Sequence, residues 1–552
     1  MSKIIIIGAG LAGLSATVTA CENENEVILV STMPSERAQS VMAEGGINGA
    51  LNTKKENDSV EEHFNDTFKA GVYLSNPNAV KSLTYNAPKI INKLASCGVI
   101  FNRDENGNID LRNFGGQKKK RTAFAKSSTG KQIMTSIIQK VRKYENEGLV
   151  TRYDNHYFFE LIKDENEICN GCILLDKDSK ELIPIISNSV IIASGGMHGL
   201  FKNTTGSLDN KGIVTANLFT SNVLLANCEF IQYHPTTLKF SNKHLLISEA
   251  ARGEGGRLFY YENGDKKYFM EEKYPEMGNL MPRDIISKEI WNILNQGIET
   301  VYLDLTEIPK NILNSNLLDV VEDCKTFFNI DPSKEPIPVT PGIHYFMGGI
   351  EVDEFHRTNI IGLYAAGECA CQYHGANRLG GNSLLGAIYG GEIAAKTAIK
   401  DDNKLNKNCE VDKIILDKTS KLKLATKKKN NNSLPVLKYK LNNILENSLG
   451  IIRNQNTLEK GLKELNEFIE REVKDNYDST SNIYENINFE NQCILGKTLI
   501  ECAILRKESR GAHNRSDFPE INDEKYKKTT IAKYNGNYSV NISFKEILEL
   551  KQ

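Results

Sequence analysis

The sequence lacks several things that would have decided its role early. It has no surplus of either charge, since 68 Lys and Arg face 70 Asp and Glu for a formal net charge of -2. Without a basic excess, nucleic acid is not expected as a main partner. Proline is scarce beside glycine, 14 against 41 in 552 residues. That balance argues against a disordered chain and suits an α/β protein with many tight turns. The 11 cysteines are scattered, without the dense, regular spacing of a secreted disulfide scaffold, which fits a reducing cytoplasm. No long uninterrupted apolar run occurs. The longest, residues 4–20, is broken by Gly8, Gly10 and Gly13 and is too short to span a bilayer comfortably. No charged leader precedes it, so no signal peptide is expected. A cytoplasmic protein follows, peripheral at a membrane only where partner subunits hold it there.

What is present begins at the first residues. The length predicts two or three domains. An apolar strand at residues 3–7 meets Gly8-Ala9-Gly10, then a helix pattern over 11–20 and a second strand at 27–30, a βαβ unit. Two further strands, 189–193 and 361–365, run into Ser194-Gly195-Gly196 and Gly367-Glu368. Open α/β sheets bind cofactors at such carboxyl ends. Residues 236–340 carry their own helix and strand patterns and read as an inserted domain. The Lys- and Asn-rich stretch 401–432, including Lys427-Lys428-Lys429-Asn430, reads as solvated helix or linker. Helical periodicity returns over 439–471 and 491–507.

Gly8-x-Gly10-x-x-Gly13 lies between strand and helix, the setting in which this pattern has meaning. The first glycine permits the turn, the second admits a pyrophosphate, and the third lets helix and strand pack closely. The helix N–H groups then face phosphate oxygens. An acidic residue is expected near the end of the second strand for the ribose, yet Ser31 follows Val30, which leaves NAD and FAD both open on the fingerprint alone. The remaining motifs decide for FAD. Ser40, Glu44-Gly45-Gly46, Ala193-Ser194-Gly195-Gly196, Gly367-Glu368 and Gly380-Gly381-Asn382-Ser383-Leu384-Leu385 are dispersed along the chain. So many points of backbone access suit a long, buried, two-headed cofactor.

These stretches, with Tyr233-His234-Pro235-Thr236, Ser248-Glu249-Ala250-Ala251-Arg252-Gly253-Glu254, Pro282-Arg283-Asp284, His344-Tyr345-Phe346-Met347-Gly348-Gly349 and Gly375-Ala376-Asn377-Arg378, resemble the flavoprotein subunits of the succinate dehydrogenase and fumarate reductase family. Gly450-Ile451-Ile452-Arg453-Asn454 and Glu508-Ser509-Arg510-Gly511-Ala512-His513 resemble the family's C-terminal helical region. The resemblance runs in order to about Pro519. It implies an α/β fold: a Rossmann-like FAD-binding domain in two parts (1–235 and 341–400), an inserted α+β capping domain (236–340) and a C-terminal helical domain (401–520). Residues 521–552 remain a tail without a recognisable motif.

The resemblance also assigns roles. His234, Ser248, His344 and Arg378 would bind the two carboxylates of a dicarboxylate substrate. Arg283 would deliver or accept a proton through a relay of Glu249 and Arg252. Cofactor contacts would come from Gly8, Ala9, Gly10, Gly13, Ser31, Ser40, Gly45, Gly46, Ala193, Gly195, Glu368, Asn382, Ser383 and Leu384. The residue types suit that chemistry. Arginine offers a fork matched to a carboxylate, and histidine adds a further hydrogen bond. Glu249 and Arg252, at i and i+3, can face one direction on a helical turn. The resemblance further implies an iron–sulfur partner subunit and, through it, a quinone at the membrane.

Two departures from the family pattern carry consequences. Membrane-bound members bear a histidine that links FAD covalently; Gln39 stands in that place. Glutamine cannot form the link, so FAD is expected to be non-covalent, which leans the chemistry toward fumarate reduction. Gly212-Ile213 stands where the family has Gly-Asp, removing an acidic side chain from that place. L-aspartate oxidase is the near rival. It carries an Arg-Glu-Gly-Gly-His-Ser-like segment whose glutamate reads the substrate amino group, where this chain has Asn113-Phe114-Gly115-Gly116-Gln117. Phe114 cannot pair with an ammonium and suits a flat unsaturated diacid, and Leu379-Gly380-Gly381 replaces the oxidase's Met-Ala-Ser. A more distant alternative, a non-catalytic or tRNA-acting FAD-binding protein, gives no reason to keep His234, Arg283, His344 and Arg378 together. Cys169-Asn170-Gly171-Cys172 lacks a second ligand pair, and its Asn-Gly reads as a hairpin turn rather than a metal knuckle.

Overall fold

A computed structural model describes residues 3–126, 128–240, 243–401, 411–427, 433–474 and 482–551. Strand Lys3–Ile7 is the middle of a five-stranded parallel sheet, flanked by Ser189–Ile192 and Glu26–Val30, with Leu363–Ala365 and Val150–Tyr153 outermost. Ile5 and Ile7 enter one hydrophobic cluster, Ile4 and Ile6 another on the opposite face. A parallel strand covered on both sides has no polar face, and this explains the unbroken isoleucine run. Helix Leu11–Glu22 buries every residue from Leu11 to Cys21. It packs against helix Asn382–Asp401, where a side chain at Gly391 would overlap the Ala12 carbonyl.

Segment 236–340 contributes to a six-stranded antiparallel sheet, ordered Lys243–Leu246, Ile231–Phe240, Ile337–Phe346, Val301–Asp304, Arg257–Glu262, Asp265–Lys267. Helix Arg283–Asn295 lays Ile286, Ile290 and Ile293 on it, a spacing that keeps three side chains on one helical face. Two of its strands, Ile231–Phe240 and Ile337–Phe346, pair with each other and run through positions 235/236 and 340/341. The junction with the cofactor sheet is therefore made of continuous strand.

Helices Leu434–Ser448, Gln455–Phe468 and Ile483–Leu505 follow. The second starts from a capping box in which Asn454 accepts from Thr457 N–H, and a π turn, Ile469–Val473, continues it. In the Lys-rich stretch, Val411–Lys427 is helical; residues 402–410 and 428–432, with Lys428, Lys429 and Asn430, lie outside the described residues. Among the described residues no helix is long and apolar enough to cross a membrane.

Two readings of the sequence are corrected. Asn170-Gly171 is not a hairpin turn, because Cys169–Asp176 is one strand, paired on both sides. Gly171 has φ +126° and packs its bare Cα onto the Ile185 carbonyl, so the glycine serves close strand approach at an irregularity in the ladder. The tail after Pro519 is also structured. Lys528–Tyr534 and Val540–Glu546 form an antiparallel hairpin, and the first of these pairs with Leu225–Ala226 some 300 residues earlier in the chain.

Candidate active site

The three glycines of the fingerprint each have a distinct geometric reason. Gly8 (φ +115°) turns against the Ala193 carbonyl with no room for a Cβ, and Gly13 closes on the Gly8 carbonyl. Gly10 differs. A Cβ there would meet nothing nearer than Ser40 Oγ at 3.8 Å and Ala38 Cβ at 3.9 Å. The helix that Gly10 opens has no side-chain cap, and only Ser40 Oγ reaches in, accepting from Leu11 N–H at 3.3 Å. Helix N–H groups facing open space suit an anion.

That space belongs to a cavity of about 530 Å³. Gly8, Ala9, Gly10, Ser31, Ser40, Gly45, Gly46, Ala193, Gly195, Glu368, Ser383 and Leu384 line it, as do His234, Ser248, Glu249, Arg283, His344, Arg378 and Phe114. The glycine motifs and the histidine and arginine motifs thus open into one chamber, and its residues fit a long dinucleotide. The Ser31 hydroxyl donates to Asp154 Oδ1 at 2.7 Å; Asp154 follows the neighbouring strand Val150–Tyr153 and is not among the residues lining the cavity. Asn382 is corrected. Its side-chain amide is spent on Asn48 of strand Ile47–Asn48 and on His63 and Thr67 of helix Val60–Ala70, so it ties these elements to the helix that Asn382 begins and is not among the residues lining the cavity. Glu368 is partly committed as well, accepting from Phe346 N–H at 3.2 Å and facing His198 Nε2 at 3.1 Å. Gln39 lines the cavity with its amide oxygen held by the backbone N–H of Ser207.

At the other end Glu249 joins two arginines. Its Oε2 accepts from Arg283 Nε at 2.8 Å and also from Nη2; its Oε1 accepts from Gly115 N–H at 3.1 Å and faces Arg252 Nη2 at 3.3 Å. Burial would raise the Glu249 carboxyl, but Arg283 and Arg252 outweigh it and hold the group below its ordinary value. Arg252 does not line the cavity; it sits behind Glu249, anchored on the Asn279 carbonyl. Burial lowers its own pKa.

His344 reaches the site by a bulge. Gln232 pairs with Tyr345 and Tyr233 with Ile343, so His344 is the extra residue between them, and bulges re-aim side chains in this way. Its ring lies 5.0 Å from that of His234, centroid to centroid, and its Nδ1 shares a 2.8 Å hydrogen bond with Thr205 Oγ1. Burial, reinforced by Arg283, pushes both imidazoles well below their ordinary value, so both are neutral at neutral pH.

Arg378 lies with its guanidinium 4.4 Å above the Tyr345 ring. Its Nε is buried with no hydrogen-bond partner among the described residues. Burial, with Arg283 nearby, brings its pKa down to about 9. A buried cation with an unused donor is costly unless an anion arrives. Glu249 is the one carboxylate bridging Arg283 and Arg252 among the described residues, and Glu368 also acts on Arg378, so the three guanidiniums are only partly compensated. One residue that the motifs did not single out completes the arrangement. Gln232 Oε1 accepts from Arg283 Nη1 at 3.2 Å, while its Nε2 donates to Asn377 Oδ1 and to the Arg378 carbonyl. Phe114 is buried between Gly45 and Gly380, either of which would touch its ring if it carried a Cβ.

Comparison with known proteins places the chain in a family. The family described as FAD binding domain matches residues 3–384, and that described as Fumarate reductase flavoprotein C-term matches 438–550. The succinate dehydrogenase flavoprotein subunit of Bacillus subtilis (strain 168) is 40% identical, covering 97% of this chain and 94% of that protein. The fumarate reductase flavoprotein subunit of Haemophilus influenzae is 34% identical over 99% and 94%. Among solved structures, a quinol-fumarate reductase with menaquinol molecules aligns with a TM-score of 0.91 at 28% identity, covering 100% of this chain and 99% of that one. A variant of the E. coli quinol fumarate reductase gives 0.88 at 28% identity, over 99% and 96%. The chain belongs to the succinate dehydrogenase and fumarate reductase flavoprotein family and is an FAD-dependent oxidoreductase.

Proposed function

We propose that this protein interconverts fumarate and succinate, and that the cavity end lined by His234, Ser248, His344, Arg378 and Arg283 is where the dicarboxylate binds. The observation that carries this is the Arg283–Glu249–Arg252 chain standing beside an Arg378 whose Nε is buried and unpartnered. Arg378 clasps one carboxylate, with the neutral imidazoles and the Ser248 hydroxyl offering hydrogen bonds to the substrate oxygens. FAD supplies hydride transfer to or from one substrate carbon. The other carbon exchanges a proton with the guanidinium of Arg283, and the positive groups around it stabilise the negative charge that develops on the adjacent carboxylate. Arginine is a poor acid in solution, with a pKa above about 12. A donor that loses a proton must therefore regain it at once; Glu249 is ionised and holds none of its own, so the proton that replenishes Arg283 comes from Arg252 by way of the Glu249 carboxylate that contacts both. Gln232 fixes the orientation of Arg283 by taking its remaining Nη1–H.

In the proposed division of labour, residues 1–235 and 341–400 bind FAD, 236–340 close over it and 401–520 form a helical region. Gln39 supports non-covalent FAD, since an amide already held by Ser207 N–H offers no nucleophilic ring nitrogen. The relatives bear the name of subunits, which supports an iron–sulfur partner as the electron route and attachment to a membrane only through partners. The test is a steady-state comparison of fumarate reduction by reduced holoprotein with succinate and aspartate oxidation by oxidised holoprotein. Reoxidation of the reduced flavin by fumarate, with no turnover of aspartate, is the expected result. Aspartate turnover without fumarate turnover would overturn the reading.

A further inference from the structure

The stretch preceding Arg378 is gripped from the C-terminal region, far from the cavity. Ala512 N–H donates to the Ala376 carbonyl at 3.0 Å. Gly511 has φ +54°, and a Cβ on it would stand 2.6 Å from Ala376 O, 2.8 Å from its carbonyl carbon and 2.9 Å from its Cβ. On the other side, Ala376 N–H donates to Gly71 O at 2.9 Å. Gly71 opens a turn whose next two residues, Val72 and Tyr73, have φ of +50° and +60°. Consecutive left-handed non-glycine residues, one of them β-branched, are costly and persist only when their surroundings over-determine them. Arg510 supplies part of that constraint, donating from Nη1 to the Val72 carbonyl at 3.2 Å. It is itself fixed by Glu508 through Nε and Nη2 and by Asp523 at 2.6 Å.

We propose that Arg510, Gly511 and Ala512 are positioning residues for the substrate: by bracing Ala376 and the strained turn at Val72, they set the backbone from which Arg378 reaches the carboxylate. The C-terminal region is then part of the binding apparatus and not only a scaffold. The inference rests on the reading of Arg378 as a carboxylate clamp. Arg283 is held mainly through two nitrogens on Glu249 and meets this stretch through one 3.2 Å bond to Gln232, so loosening the brace acts on dicarboxylate affinity more than on proton delivery.

The experiment measures malonate, a dicarboxylate that cannot be reduced, by its perturbation of the oxidised flavin spectrum in the full-length holoprotein, alongside KM and kcat for fumarate. Gly511→Ala is expected to retain flavin, weaken malonate at least tenfold and raise KM similarly, with kcat changed less than threefold. Arg510→Lys keeps the charge beside Glu508 but loses the donor to Val72, and should show the same split more weakly. It decides the matter if Gly511→Ala does not accumulate as holoprotein. Arg378→Ala is measured in parallel. If it weakens malonate and the brace variants do not, the brace is refuted while the clamp stands. If Arg378→Ala itself leaves malonate binding unchanged, the clamp reading fails, and the brace proposal with it. Equal losses in KM and kcat, or a lowered melting temperature with unchanged malonate affinity, would also overturn the proposal, because a purely structural role would produce them.

Discussion

Arg283 donates from both Nε and Nη2 to a single oxygen of Glu249, leaving the other oxygen of that carboxylate for Arg252 and the Gly115 N–H. The pair is asymmetric: one oxygen serves the proton donor and the other its source. Arg283→Lys preserves charge but not the fork that makes this division. Turnover should fall by at least about a hundredfold, since loss of a positioned acid or base typically lowers rates about 10²–10⁴-fold. Malonate affinity should change far less. A lysine variant with near-normal turnover and weakened affinity would make Arg283 a binding residue instead.

Acid precipitation tests the place of Gln39. Flavin should leave with the supernatant, since no side chain at that position can link it. Yellow colour retained by the washed pellet contradicts the expectation.

Substrate choice turns on Phe114. Its ring lies between Gly45 and Gly380 and offers no acceptor to an ammonium group. In stopped-flow mixing, aspartate should reduce the bound flavin at least about a hundredfold more slowly than succinate, on the order expected when a charged group is buried without a partner. Comparable rates would assign the site to amino-acid oxidation.

Acid should destabilise the fold well before the carboxylates titrate. Of the nine histidines, His63 and His374 are pushed down to about 3 and His244 and His356 to about 4 by burial, and His234, His344 and His513 are lowered as well. Each is neutral in the folded state and protonates near its ordinary pKa of about 6.5 once unfolded. The unfolded chain therefore binds more protons below that pH. Stability is intact above about 6.5 and is lost as pH falls toward the folded values, at up to about 1.4 kcal/mol per pH unit for each group. Melting temperature measured from pH 7.5 to 5 should drop steeply; a flat profile would mean that these imidazoles are not held neutral.

What could be read in advance was the local part. The turn at Gly8 and the close packing at Gly13 follow from a strand, a turn and a helix adjacent in sequence, and Gly10 is left with open space beside it. His234, Arg283, His344 and Arg378, which stand in long motifs, line one cavity, although which atoms meet was not legible. The misses share one cause. Asn382 stands in a cofactor motif, yet Asn48, His63 and Thr67 arrive from more than 300 residues away to take its amide. Ser31 stands where an acid was expected, and its hydroxyl is taken by Asp154 because a neighbouring strand ends beside it. Asn170-Gly171 carries a turn signature, but strands pair on both its sides and tertiary pairing overrides local preference. The hairpin after Pro519 depends on an edge offered by Leu225–Ala226, which nothing near it in sequence announces.

The two strands that pass through the junction carry His234 and His344. They are hydrogen-bonded to one another across it, so the imidazole pair belongs to neither segment alone. Arg283 and Glu249 stand on one side of that strand pair in sequence and Arg378 on the other. A diacid that met Arg283 and Arg378 at once would therefore tie the two segments together like a staple, across the strands that already join them.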